Sequence, residues 1–168
     1  MSIFVQKGGV SESISDSELK ELVRSTVEKS GKTAGRMLLL PPDHTRLNSR
    51  AGRITEILYE MYGDSWQIDI MPALGTHSPM GEKELALMFG TKIPRSLFRV
   101  HNWRDDVVTL GKASSDFIRE LSGGKLDYEV NIQVNKILFE PYDLILSIGQ
   151  VVPHEVVGMA NYTKNLMV

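Results

Sequence analysis

The chain contains no cysteine. That excludes disulfides, thiolate metal sites and cysteine nucleophiles, and it fits a reducing cytoplasm, the expected location. Long apolar runs are also missing. A stretch such as MLLL at 37–40 is far shorter than the roughly 20 residues a membrane-spanning helix needs. The opening MSIFVQKGG has no basic segment followed by an apolar one, so no signal peptide is read there. Charge of one sign is scarce too: 19 Lys and Arg against 21 Asp and Glu leave a net charge of −2. That balance gives no bulk reason to bind nucleic acid or an anionic membrane, and neither is expected as a partner. There is no internal repeat, low-complexity tract or Pro-rich linker. What remains is 168 residues, 42% hydrophobic and 24% charged, which suits a single globular domain, 1–168, with a sizeable core.

Short apolar runs alternate with amphipathic stretches. Ser15-Asp16-Ser17-Glu18 reads as a capping box, with Leu19, Leu22, Val23 and Val27 as a helical stripe behind it. Arg36–Leu40, ending at Pro41-Pro42, reads as a buried strand. Ile54, Ile57, Leu58 and Met61 form the next helical stripe, closed by Gly63. Trp66–Met71 alternates as a strand. Ser78-Pro79 reads as an N-cap followed by proline at the first helical position, opening a helix over Glu82–Phe89. Leu97–Val100 and Val107–Leu110 are short strand candidates, Ser114–Leu121 a helix, Tyr128–Leu138 ambiguous, and Tyr142–Ile148 a strongly apolar strand. Strands alternating with helices imply an α/β, Rossmann-like domain with a mostly parallel sheet and helices on both faces.

In such sheets ligands bind beyond the carboxyl ends of the strands. All four histidines fall there. His44 lies in Asp43-His44-Thr45-Arg46, His77 in Gly75-Thr76-His77-Ser78-Pro79, His101 beside Asn102, and His154 after Pro153. His77 is placed between a strand and a helix start, where outward backbone N–H groups favour an anion and an imidazole can exchange a proton near neutral pH. The bland reading is a capping or loop histidine, and the same holds for His154. Asp43 and Arg46 read, alone, as an ion pair capping the next helix, although an arginine fork also suits a carboxylate. Lys164 alone is a surface lysine, and His101 and Trp103 alone are packed side chains. Two histidines facing each other across a pocket, however, supply what a racemase needs: one removes a proton from one face and the other returns a proton to the opposite face. Several histidines also serve divalent-metal hydrolases, but the tight i, i+4 spacing of a zinc hydrolase is missing, which ranks that reading last.

Together, Pro42-Asp43-His44-Thr45-Arg46, Gly75-Thr76-His77-Ser78-Pro79, and Pro153-His154 followed ten residues later by Lys164 resemble the lactate racemase family. The resemblance covers the chain from residue 36 onward. It implies a nickel-pincer nucleotide, a sulfur-bearing pyridinium mononucleotide with bound nickel, tethered through a thioamide to the lysine matching Lys164. It implies His77 and His154 as the two acid/base groups, Arg46 holding the substrate carboxylate, and Asp43 supporting that part of the site. The implied reaction passes hydride from C2 of a small 2-hydroxy acid to the cofactor and back to the other face. The protein supplies orientation and proton transfer.

Two departures from the family pattern qualify what is implied. Where better-known members carry a glycine-rich stretch such as Gly-Phe-Ser-Gly-Gly before the lysine, this chain has Gly158-Met159-Ala160-Asn161-Tyr162-Thr163. Bulkier side chains reshape the pocket and point toward a larger 2-hydroxy acid, such as a sugar acid. The family's nickel-ligating histidine and second domain lie downstream of the lysine, whereas this chain stops at Val168. The expectation is a fragment whose missing C-terminal domain is its partner, with no metal ligand and no cofactor held by this part alone. The alternative is a non-catalytic domain of the same fold that binds a small anion. Oligomeric state is not readable from the sequence.

Overall fold

The computed structural model describes residues 3–154, 158–161 and 163–167. Helix α1 (Asp16–Lys29) begins at the capping box read from the sequence. The Ser15 hydroxyl accepts from the Glu18 backbone N–H, and the Glu18 carboxylate accepts from the Ser15 backbone N–H. Two of the orphan donors of the first turn are thereby satisfied. Strand β1 (Gly35–Leu40) follows, and Met37, Leu38, Leu39 and Leu40 are all completely buried. A strand apolar on both faces belongs in the middle of a parallel sheet. It pairs in parallel with β2 (Trp66–Ile70) on one side and with β5 (Leu144–Ser147) on the other.

Phe98 adds a single parallel bridge to Ile70 beyond β2, after a 3-10 turn at Arg95–Leu97. The expected strand Leu97–Val100 is thus reduced to one bridge, because the turn consumes its first residue. From β1 the chain runs outward through β2 to Phe98, then returns to lay β5 on the opposite side of β1. The point of reversal, between the carboxyl ends of β1 and β5, is where open α/β sheets bind ligands.

Two cores flank this sheet. Met37, Leu39, Ile68 and Ile70 pack with residues of α1, α2 (Ala51–Tyr62) and α3 (Glu82–Phe89), among them Val27, Leu58 and Phe89. Helix α2 approaches α3 so closely that a Cβ on Gly52 would lie 1.8 Å from the Met88 carbonyl oxygen. On the other face, Leu38, Leu40 and Met71 pack with Ile137 of a 3-10 turn (Lys136–Phe139) and with Leu166 of the short helix α5 (Lys164–Met167). That second face also holds Asp69 of β2, next to Leu38. Its carboxylate accepts from Arg99 Nε at 2.8 Å, Tyr142 Oη at 2.8 Å and an Arg36 guanidinium nitrogen at 3.2 Å. Burial would raise the Asp69 pKa, but these three donors outweigh it and hold the group below the ordinary carboxylate range.

The remaining strands leave the main sheet. β3 (Val107–Ala113) and β4 (Val130–Asn135) form an antiparallel hairpin, with α4 (Ser115–Leu121) in the connection between them. β6 (Pro153–His154) and β7 (Gly158–Met159) form a second, very short antiparallel pair. Among the described residues no helix is long and apolar enough to cross a membrane.

Candidate functional site

The segment after β1 is fixed by Asp43. Its carboxylate caps the 3-10 turn His44–Ser49 by accepting from the Thr45 backbone N–H at 3.1 Å and from the Thr45 hydroxyl. Its second oxygen lies 2.6 Å from His77 Nδ1. Asp43 is buried, while the His77 side chain is 59% exposed. Burial alone would raise the Asp43 pKa, yet the hydrogen bonds from His77 and Thr45 prevail and hold it below its usual value. An ionised carboxylate requires the proton on Nδ1 of His77, so Nε2 is the nitrogen left to take up or release a proton.

The expected ion pair of Asp43 with Arg46 is therefore absent, because His77, 34 positions away, takes the carboxylate. His77 is also not at a helix N-terminus. It closes a turn in which its N–H donates to the Leu74 carbonyl at 3.0 Å and Gly75 adopts φ +59°, a left-handed conformation glycine takes without strain. Helix α3 starts later than Ser78-Pro79 implied, with Gly81 as N-cap and the Glu84 carboxylate accepting from its N–H.

The other cations gather at the switch point. Arg46 and Lys164 line one small pocket of about 30 Å³ together with Pro42, Ser49, Gly149 and Gln150. Neither Arg46 nor Lys164 has a carboxylate partner among the described residues, and no aspartate or glutamate lines the pocket. Two unpaired cations in a pocket whose lining has no acid make a place for an anion.

What holds Lys164 there was not legible in the sequence. The Asn165 amide nitrogen is within hydrogen-bond reach of the Leu40 carbonyl (3.2 Å), the Ile148 carbonyl (3.2 Å) and the Asn161 side-chain oxygen (3.0 Å). Asn161, itself left-handed at φ +63°, donates to the Gly149 carbonyl and accepts from the Ser147 hydroxyl. The two asparagines fasten the lysine-bearing segment to the ends of β1 and β5. Their one sequence signal was the i, i+4 spacing of Asn161 and Asn165 around Lys164.

His154 stands on β6, opposite Gly158. The neighbours of that hairpin, Val152 and Ala160, are joined by a backbone hydrogen bond of 2.8 Å and line the Arg46–Lys164 pocket. Glu155-Val156-Val157-Gly158 reads in the sequence as a loop or a helix start; residues 155–157 lie outside those described, and Gly158 belongs to β7. His44 approaches Glu84 at 3.4 Å and is drawn toward α3. Among the described residues no group of three or more His, Asp or Glu side chains is arranged to hold a metal ion.

A three-stranded parallel sheet with helices packed on it defines an α/β domain of the Rossmann-like class, here with a cation-lined pocket at the switch point and an Asp–His pair beside it. The chain belongs to the lactate racemase N-terminal domain family, whose model matches residues 5–168. It is similar to the crystal structure of a protein from Thermotoga maritima, with 26% identity and a TM-score of 0.69. The match covers 84% of this chain and 34% of that one, so this chain corresponds to about a third of its relative's length. No curated protein matches the chain.

Proposed function

We propose that the chain is the N-terminal domain of a 2-hydroxy acid racemase or epimerase, in which His77 and His154 are the acid/base groups. One observation carries this reading. The Asp43–His77 pair, at 2.6 Å, leaves Nε2 of His77 free for proton transfer on the same sheet edge as the Arg46–Lys164 pocket. Asp43 sets the tautomer and the ring orientation, as carboxylates do behind working histidines. His77 exchanges a proton with the C2 hydroxyl of one enantiomer and His154 with that of the other. Arg46 offers a two-pronged donor to the substrate carboxylate.

The pocket's composition suits the nickel-pincer nucleotide implied by the family. Lys164 presents a primary amine that can be acylated, losing its charge as it does so, and Arg46 beside it stays cationic. The pocket's volume fits a small anionic group rather than a whole mononucleotide, so Lys164 would hold the tethered end and Arg46 would keep the substrate carboxylate. Bound there, the nucleotide supplies the hydride acceptor that no side chain of this chain provides. The chain's own contribution is to fix the amine, orient the carboxylate and move protons.

The test uses a longer version of the protein produced together with the cofactor-making enzymes. His77→Ala and His154→Ala should each lower racemisation by roughly 10²–10⁴-fold while the fold is retained. An adduct on Lys164 should be found by intact mass and lost in Lys164→Ala. Near wild-type racemisation in either histidine variant, or an active protein with unmodified Lys164, would overturn the assignment. The pocket's small size and its two unpaired cations favour a second reading, a domain that binds a small anion without chemistry. Phosphate binding that is lost in Arg46→Ala, with no racemisation in any longer form, would select it.

A further inference from the structure

A second pocket, of about 230 Å³, lies against the same two elements that carry the proposed groups. Gly75 and Thr76, from the turn that presents His77, form one wall, and Met167, from the helix that begins at Lys164, forms another. No charged side chain lines it. Its polar surface comes from Thr76, His101, Asn131, Gln133 and Asn135, with the indole of Trp103 beside them.

The state of His101 can be worked out from its partner. The Asn135 side-chain oxygen accepts from the Ile137 backbone N–H at 2.9 Å, which fixes which end of the amide is which. The amide nitrogen, 3.0 Å from His101 Nδ1, must then be the donor. Nδ1 therefore carries a lone pair, and the ring proton sits on Nε2. Among the described residues nothing accepts from that N–H. His101 is only 8% exposed, and burial pushes its pKa down, opposed by the Asp106 carboxylate, so the ring stays neutral. His101 lines the pocket, so a ligand oxygen there can accept from its N–H.

We infer that this pocket receives the uncharged, hydroxylated end of a 2-hydroxy acid, and that His101, held by Asn135 with its proton on Nε2, donates the hydrogen bond that selects it. The inference rests on the racemase reading for the acid end of the molecule. Amides, a hydroxyl, a neutral imidazole and an indole face suit hydroxyl groups on a carbon chain. They give no cationic partner to a second carboxylate, and a plain alkyl tail makes no hydrogen bond with them. Asn135 is a positioning residue, and His101 and Trp103 touch the ligand.

Nitrogen NMR of the labelled 168-residue chain tests this directly. The His101 signals should show a bare Nδ1 and a protonated Nε2. Gluconate should shift the Nε2 and Trp103 indole signals and bind about tenfold more tightly than 2-hydroxyhexanoate, which has the same chain length without the further hydroxyls. Lactate, which has no hydroxyl beyond C2, should leave both signals in place. Asn135→Asp turns the donor into an acceptor and should move the proton to Nδ1, abolishing the tenfold preference. His101→Gln, which keeps a donor, should retain part of it. A native proton on Nδ1, no response to gluconate, or equal binding of gluconate and 2-hydroxyhexanoate would overturn the inference. None of these readings depends on proton transfer at His77 or on acylation of Lys164, so failure here is separable from failure of the racemase assignment.

Discussion

The β1-centred sheet and the β3–β4 hairpin are built from similar residues and have opposite fates. β1 buries four consecutive apolar side chains completely. β3, with Val107, Val108 and Leu110, contributes no buried residue, and in β4 only Val134 and Asn135 are buried. Helix α4 has no buried residue at all, and Phe117 and Leu121 on it are 51% and 69% exposed. The difference is topological. Parallel strands joined by helical crossovers receive a helix layer from their own connections, whereas the helix in the β3–β4 connection, α4, buries none of its residues and gives the hairpin no core. Apolar composition therefore says where a core can form, and connectivity says where it does.

Matched substitutions in the two regions should separate them. Leu39→Ala removes a fully buried side chain from β1 and should cost about 3–5 kcal/mol, read from the denaturant midpoint, whereas Leu110→Ala in β3 should stay within about 0.5 kcal/mol. Equal losses would mean that the hairpin belongs to the same cooperative core.

Glycines give a smaller contrast. Gly52→Ala forces a Cβ against the Met88 carbonyl and should cost about 2–3 kcal/mol, while a Cβ on Gly111 meets nothing within 4 Å and Gly111→Ala should be close to neutral.

Asp69→Asn should cost about 1–3 kcal/mol by weakening the hydrogen bonds from Arg36, Arg99 and Tyr142. Because the folded pKa of Asp69 is depressed, its contribution is complete above the ordinary carboxylate value of about 3.9 and is lost as pH falls through the lower folded value. The acid limb of the stability–pH curve should flatten in Asp69→Asn, and an unchanged limb would show that the network is silent.

The smallest effect expected is at the helix caps. Ser15→Ala should cost about 1 kcal/mol of global stability. Ser114→Ala removes an equivalent cap from α4, but should only speed amide exchange locally, since nothing in α4 is buried.

The sequence was most legible where signals are local. The Ser15–Glu18 box and the β1 and β2 runs lie within a few residues of their cause, whereas His154 falls inside β6 rather than past a strand and His101 follows a single bridge. The Ser78 cap was misplaced because serine followed by proline signals a helix start as strongly as the Gly81–Glu84 pair that took the role. The hairpin was not separable from the parallel sheet by pattern, since β3 and β4 carry the same β-branched residues as a sheet strand, and their register slips between Thr109 and Gly111. At the site, the residue types were visible but not their partners. Asp43 beside Arg46 looks like a local ion pair until the fold brings His77 to it, and Asn135 had no signal at all linking it to His101. Contacts across 34 residues depend on topology, which local preference does not encode.

Asn165 has a consequence for the order in which the domain assembles. Its amide bonds to the carbonyls of Leu40 and Ile148, which become neighbours only after β1 and β5 have paired. Leu40 and Asn165 are 125 positions apart, so this bond closes one of the longest loops in the chain and should form late, after the costly long-range pairing is complete. Lys164 is then displayed at the strand ends only on a finished sheet. A half-folded chain leaves the amine adrift, so any enzyme that reads Lys164 in its pocket is also reading whether folding has ended.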